Sequence, residues 1–306
     1  MNRLLLVASV MLALSSCHSD EIPADNDDSV ENAIQFSLPQ GLVRSFGNNG
    51  ETVWVWAGVT DADDFIKAWK LTANSSGGLT ITNKCYWLES ASTMKFRALY
   101  GNFSNDAITE GTTPWTGLSL THTVQQTQTT EAARDKSELL YATTDNAPKG
   151  SDVALQFKHL MTKITVVIDC ANSSGLNKLV GASIVIPGVK TTATFSSATS
   201  VATANDGTTN DITIASIVSQ PTTTFECSAV IPEQTVASGS ELIRLTLNSG
   251  QVIKYKKTND NKFLAGNEYK ITLAVNASAA NVSVSSFEVV DENTRETTDW
   301  KYHVPI

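Results

Sequence analysis

Ser137 to Asp169, SELLYATTDNAPKGSDVALQFKHLMTKITVVID, is the stretch whose reading decides the fold. It opens on a short apolar run, Leu139-Leu140-Tyr141-Ala142, followed by Asp145-Asn146-Ala147-Pro148-Lys149-Gly150. Proline fixes φ and glycine tolerates positive φ, so a strand is expected to end in that cluster. Val153, Leu155 and Phe157 then alternate with Asp152, Ala154 and Gln156. After His159-Leu160 the phase slips by one residue, and Ile164, Val166 and Ile168 form the apolar row opposite Lys163, Thr165 and Val167. A period of two describes a half-buried strand, and a slip of one residue predicts a β-bulge. The stretch therefore reads as the end of one β-unit, a short exposed linker over 145–152, and the first long strand of a second unit.

The same pattern extends in both directions. Upstream, Ile34, Phe36 and Leu38 alternate with Gln35 and Ser37, and Pro39-Gln40-Gly41 breaks the run. Thr52 to Ala57 is a strand carrying Trp54 and Trp56. Lys67–Ala73 and Leu79–Thr82 flank Asn74-Ser75-Ser76-Gly77-Gly78, a hairpin signal. Met94–Tyr100 and the long Thr/Gln-rich run Leu118–Gln128 are further strands, and Thr130–Lys136 is the one place for a helical turn. Downstream, Ala182–Ile186 is expected to end at Pro187-Gly188. Leu242–Leu247 and Val252–Lys256 flank Ser249-Gly250 as a hairpin. Tyr269, Ile271, Leu273 and Val275 alternate cleanly, and Val282, Val284, Phe287 and Val289 follow with a slip at Ser285-Ser286. Strands at roughly ten-residue spacing describe all-β sandwiches.

A chain of 306 residues accommodates about two such units. The units are expected at 33–148 and 149–306. The charged fraction of 17% is low against a typical ~25%, and Ser and Thr take its place, as on exposed strand faces. The formal net charge of −9 argues against nucleic acid as a partner, since that role needs basic patches.

At the N-terminus Arg3 precedes an apolar run, Leu4 to Leu14, that is too short for a bilayer span of ~20 residues. Leu14-Ser15-Ser16-Cys17 follows. Small residues before a cysteine admit signal peptidase II, so 1–16 reads as a lipoprotein signal peptide and Cys17 as the lipid attachment site, carrying diacylglycerol and an N-acyl chain such as palmitate. Two or three acyl chains anchor stably where one is marginal. Residues 17–32, with Asp20, Glu21, Asp25, Asp27 and Asp28, can fill no core and read as an acidic tether.

Catalytic chemistry has little support. His18, His122, His159 and His303 lie far apart with no HxH or HExxH spacing, so zinc is not indicated. Asp61 to Asp64 lacks the spacing and bidentate Glu of an EF-hand and reads as solvated. Cys85, Cys170 and Cys227 remain besides Cys17. They are odd in number and without CxxC, so one disulfide or three free thiols both fit. GxSxG and P-loop motifs are absent, and neither an enzyme nor a cofactor is expected. Trp54, Trp56, Trp69, Trp87, Trp115 and Trp300 could stack on sugars, but core and sheet-face packing is the commoner use of tryptophan.

Three pieces carry a family resemblance. Gln126-x-Gln128, then Ser137-Glu138-Leu139-Leu140-Tyr141-Ala142, then Val153-x-Leu155-x-Phe157-x-His159-Leu160-x-x-Lys163-Ile164, resembles the signature of the fimbrillin (Mfa-like) lipoproteins, type V pilus subunits of Bacteroides-type bacteria. Met94-x-Phe96-x-Ala98-Leu99-Tyr100-Gly101 resembles that family's strand ending in Tyr-Pro, with Gly101 in place of proline. Phe263-Leu264-Ala265-Gly266-Asn267-x-Tyr269 resembles the turn before its penultimate strand. The resemblance implies two tandem β-sandwich domains of transthyretin-like or immunoglobulin-like type. It implies an outer-membrane, cell-surface location, adhesion, and other fimbrial subunits as partners. It also implies a trypsin-like maturation protease cutting after Arg44, which would free the first strand, and a C-terminal donor strand for strand exchange, here Val282, Val284, Phe287 and Val289. Acids after Cys17 resemble surface-export signals of these bacteria, and Asp28-Ser29-Val30 resembles their O-glycosylation sequon. The alternative is a surface lipoprotein that binds a glycan or host ligand without polymerising. Stalk, anchor and tip roles stay open.

Overall fold

The computed structural model describes residues 32–37, 50–60, 64–74, 78–104, 106–170, 176–207, 209–219, 221, 224–256, 261–276 and 281–291. For Cys170, Asn261, Val275, Asn276 and 281–291 the description is of the backbone alone. In chain order the elements are β1 (Phe36–Ser37), β2 (Thr52–Gly58), β3 (Ile66–Ala73), β4 (Leu79–Ile81), β5 (Thr93–Tyr100), β6 (Ser119–Thr123), α1 (Glu131–Asp135), β7 (Leu140–Pro148), β8 (Val153–Ala154), β9 (Phe157–His159) and β10 (Thr162–Cys170). Then follow β11 (Ser183–Lys190), β12 (Thr192–Ser196), β13 (Val201–Ala204), β14 (Thr209–Ser216), β15 (Thr224–Ile231), β16 (Gln234–Val236), β17 (Glu241–Thr246), β18 (Val252–Lys256), β19 (Asn261–Phe263), β20 (Asn267–Asn276) and β21 (Asn281–Asp291).

The first half is built on a six-stranded antiparallel sheet in the order β4-β3-β2-β5-β7-β9. Both faces of this sheet are apolar. Val53, Val55, Ala57, Trp69, Leu71 and Phe96 face a core closed by β1, β8 and the segment around Cys85 and Trp87. Trp56, Leu99 and Leu139 face a second core. The second half is a sandwich of two four-stranded sheets, β15-β10-β20-β21 and β14-β11-β17-β18. Ile164, Val166, Ile168, Ile271 and Leu273 on one sheet meet Ile184, Ile186, Ile212, Ile214 and Leu245 on the other. β10 runs parallel to β20 and antiparallel to β15. The all-β expectation therefore holds, and the 249–250 hairpin forms as β17–β18, with Gly250 at φ 82°.

Pairing departs from the sequence reading in four places. First, Val153 to Phe157 does not open the second unit. β8 pairs with β1 and β9 pairs with β7, so 153–159 complete the first half, and the break expected at 148/149 moves to the far side of His159. Second, the slip after His159 is a change of sheet rather than a bulge, because β9 ends on the first sheet and β10 begins at Thr162 between β15 and β20. Third, β7 ends inside the 145–150 cluster, as expected, but only at Pro148, so the first half of the expected linker is strand. Asn146 takes φ 54° and the register skips between Met94 and Phe96, so the strand absorbs a bulge and reaches Pro148. Residues 145–148 are thus strand and no linker, with Ala147 and Pro148 paired to Met94 and Thr93. Fourth, β11 passes through Pro187-Gly188 by the same device. Its register against β14 shifts between Ile186 and Val189, Gly188 has φ 64°, and the Gly188 N–H is taken by Asp211 Oδ1 at 2.9 Å.

The two halves share a core. β6, from the first half of the chain, pairs with β12 from the second in the sheet β13-β12-β6. Beneath it Trp115 packs on Trp56 at 5.3 Å, on Phe195 at 5.7 Å and, stacked at 18°, on Tyr141 at 5.8 Å. The Arg97 guanidinium lies 5.6 Å from the Trp115 ring centre and donates to Thr60 O at 3.2 Å.

Candidate strand-exchange groove

Residues 32–37 belong to the layer that covers the six-stranded sheet of the first half. On one side Ile34 N donates to Cys85 O at 2.9 Å, and Asn32 O accepts from Trp87 N at 3.1 Å. On the other, Gln35 O accepts from Val153 N at 2.9 Å and Ser37 O from Leu155 N at 3.1 Å. The segment is thus a strand held between two others, antiparallel to 85–87 and parallel to β8. Its alternation decides what it buries. Ile34 is 1% exposed, and Phe36 sits 5.3 Å from Trp69 and 5.9 Å, edge-on, from Phe96. Trp87 closes the floor at 5.4 Å from Phe96. Trp69 is fixed by its indole N–H, which donates to Asn83 O at 2.7 Å.

By ordinary magnitudes the four backbone bonds contribute about 1 kcal/mol each, and burying Ile34 and Phe36 about 2 kcal/mol each. Those are the interactions that keep the segment seated. Without it, the N–H groups of Trp87, Val153 and Leu155 and the apolar wall of Trp69, Trp87 and Phe96 would lose their cover.

At the other end of the chain, β21 is the edge of its sheet among the described residues. Val282, Val284, Phe287 and Val289 stand opposite Val275, Leu273, Ile271 and Tyr269. The ladder skips Ser285 between Phe287 and Val284, as the sequence slip indicates, which keeps all four apolar residues in register with one face of β20. Leu14, Ser15, Ser16, Cys17 and Arg44 lie outside the described residues, as do Ser29 and Trp300. In sequence, Arg44 falls between β1 and β2.

The remaining sequence candidates have structural roles. Trp56, Trp69, Trp87 and Trp115 are buried. Asp64 caps a turn, its Oδ2 accepting from Trp115 N at 3.0 Å and Thr116 N at 3.3 Å. Cys85 and Cys227 are thiols outside any disulfide, and burial holds the Cys227 thiol well above its ordinary range. His122 is buried and neutral. Its Nδ1 accepts from Asn102 N at 3.0 Å, so Nε2 carries the proton that it gives to Ser137 O at 2.9 Å, and burial lowers its pKa to about 4. Among the described residues no three of His, Cys, Asp and Glu are arranged to hold a metal, and no helix is long and apolar enough to cross a membrane. The groove itself was hidden from sequence reading. The row Val153-Leu155-Phe157 was legible as a strand, but nothing in it says that β1 is its neighbour.

The chain is all-β, with residues 32–37 seated in the first sandwich and β21 at the edge of its sheet among the described residues. The family profile described as fimbrillin-like matches residues 44–292, and the chain belongs to that family, whose members are fimbrial proteins of the cell surface. Among solved structures it is similar to a Bacteroides uniformis protein provisionally assigned to cell adhesion, with a TM-score of 0.64 at 20% identity over 86% of this chain and 99% of that one. A second such protein, from Bacteroides ovatus, gives a TM-score of 0.61 at 14% identity, covering 84% of this chain and 96% of that one. At these identities the likeness is one of fold. The chain matches no curated protein.

Proposed function

We propose that the protein is a lipid-anchored fimbrial subunit that polymerises by protease-triggered strand exchange. The reading assigns Cys17 as the lipid attachment site, after removal of 1–16, and Arg44 as the position of a trypsin-like cut. Residues 32–37 act as a plug until that cut is made. Cleavage then separates the body of the subunit from its lipid and, in the same step, from its covalent hold on the plug. The emptied groove accepts an extended segment of another subunit, whose backbone replaces the four hydrogen bonds and whose alternate side chains replace Ile34 and Phe36. The donor is residues 281–291 with the chain that follows, because a chain end leaves its sheet without dragging a loop.

The observation that carries this reading is the double ladder of 32–37 around Ile34 and Phe36. A short strand held by four backbone bonds and two apolar side chains is a removable part of a sandwich. The test is trypsin-like treatment of wild type and Arg44→Ala, followed by denaturant-free gels. Wild type is expected to give a ladder of oligomers while Arg44→Ala stays monomeric; identical behaviour of the two would sink the mechanism. Native mass spectrometry tests the anchor separately, with an acylated Cys17 expected at the mature N-terminus.

A further inference from the structure

The segment from Gln128 to Glu138 joins the two halves. On the second-half side, the Gln128 side chain clasps the backbone of Val230, its Nε2 donating to Val230 O at 2.8 Å and its Oε1 accepting from Val230 N at 2.8 Å. Gln128 N donates to Thr213 O at 2.8 Å. Within the segment, Arg134 Nη1 donates to Gln128 O at 3.1 Å, and Thr130 caps α1 through Ala133 N. On the first-half side, Tyr100 Oη donates to the backbone carbonyl of Asp135 at 2.9 Å, and Glu138 Oε2 meets His159 Nδ1 at 3.1 Å.

In the middle of this clasp sits a carboxyl group that the bonding does not explain. Asp135 is 1% exposed, and neither of its side-chain oxygens receives a hydrogen bond. Glu138, 2% exposed, leaves Oε1 without one as well. The charges acting on Asp135 from the surrounding elements are Glu51 before β2, Glu131 and Arg134 on α1, and Glu138 after it, so three carboxylates face it against one cation. Tyr100 from β5 gives its hydroxyl to the Asp135 backbone carbonyl and also meets Glu51, and His159 from β9 is engaged by Glu138. Asp135 also ends α1, where the helix dipole disfavours negative charge. A buried carboxylate with no donor, among like charges, is costly, and the group answers by keeping its proton.

We propose that 128–138 is a proton-dependent latch: with Asp135 neutral the segment clasps both sandwiches, and loss of that proton to solvent loosens it, so that pH sets how rigidly the two halves are joined. The direction agrees with Asp135's pKa, pushed up to about 8 by burial first and then by Glu51, Glu131 and Glu138, with Arg134 opposing. His122, which holds Ser137 O from beneath, acts with the opposite sign below its ordinary pKa of 6.5. The range from pH 6.5 to 8 therefore belongs to Asp135.

Hydrogen–deuterium exchange of the full chain tests the latch without relying on any variant. After correction for intrinsic rates, opening of 130–138 is expected to rise about tenfold from pH 6.5 to 7.5 and to level off above pH 8. Residues 183–190 in β11 report global unfolding, which loss of the same proton also favours, and 130–138 are expected to open at least about tenfold more often than they do throughout that range. In Asp135→Asn the rise at 130–138 should vanish. A flat profile at 130–138 in wild type overturns the proposal. So does opening at 130–138 that is no more frequent than in β11, which would tie the proton to global unfolding alone, and so does an unchanged slope in Asp135→Asn.

Discussion

Replacing Phe36 with alanine isolates the plug. A fully buried Phe→Ala change costs about 3–5 kcal/mol. Phe36 is only half-buried, but it forms two ring pairs, with Trp69 at 5.3 Å and with Phe96 at 5.9 Å, and each pair adds about 0.5–1.5 kcal/mol. A loss of about 2.5 kcal/mol is expected. Two consequences separate a plug from ordinary core. In uncut protein, urea unfolding should show the midpoint falling with the m-value unchanged. After a cut at Arg44 the plug is held by non-covalent contacts alone, so the same 2.5 kcal/mol should appear as roughly 70-fold faster release of the plug peptide, at about 1.4 kcal/mol per tenfold. Once the plug has left, the emptied bodies of wild type and variant are the same molecule and should unfold alike. Release of labelled plug, followed by gel filtration, reads this directly. A change in release rate below about threefold would refute the assignment of Phe36 as the plug's main anchor.

Other outcomes follow from single contacts. Gln128→Ala leaves both backbone groups of Val230 without their partners and should cost about 2–4 kcal/mol in a urea melt; a loss under about 0.5 kcal/mol would mean that water replaces the amide. Gly181→Ala places a Cβ 2.8 Å from Asn248 Cγ at φ +81° and should destabilise by about 1–3 kcal/mol, whereas Gly239→Ala, with open space at the same φ, should cost only the backbone strain. For pH, Asp135 with its pKa raised to about 8 contributes stability that is lost as pH rises towards 8, while His122, lowered to about 4, contributes stability lost as pH falls below 6.5. The two oppose below pH 6.5; above it stability should fall by about 1.4 kcal/mol per unit until pH 8, and urea midpoints that rise over that range would contradict the assignment. Cys17→Ala should abolish partitioning into detergent.

Local pattern carried much of the fold and little of its wiring. The β17–β18 hairpin, the slip at Ser285 and the apolar rows on β10 and β20 all follow from period-two alternation and turn chemistry. The phase slip at His159 was visible as well, but alternation cannot distinguish a bulge from a change of sheet, because both shift the apolar row by one residue. Asn146 and Gly188 mark bulges inside clusters of breaker residues, where the strand runs on to Pro148 in one case and to Lys190 in the other; a neighbouring strand carries the ladder through, and that neighbour is set by tertiary pairing. The pairing of β6 with β12 joins Leu120 to Phe195 across 75 residues and leaves no local mark. For the groove, Ile34 and Phe36 were legible as one face of a strand, whereas Trp69, Trp87 and Phe96 converge on them only in three dimensions. Asp135 looked like an ordinary helix-end charge, because burial is not written in the residues beside it.

The central claim is that the groove holding 32–37 is where a second subunit binds. Tyr86 pairs with Ala33 at the rim of that groove and is 42% exposed, so p-benzoylphenylalanine in its place keeps ring and backbone while reporting whatever lies alongside. Before a cut at Arg44, photo-cross-linking should capture residues 32–37 of the same chain. After the cut, and once oligomers have formed, the cross-link should pass to a peptide from residues 281–306 of a second copy. Oligomers in which the cross-link remains on 32–37 would contradict strand exchange at this groove.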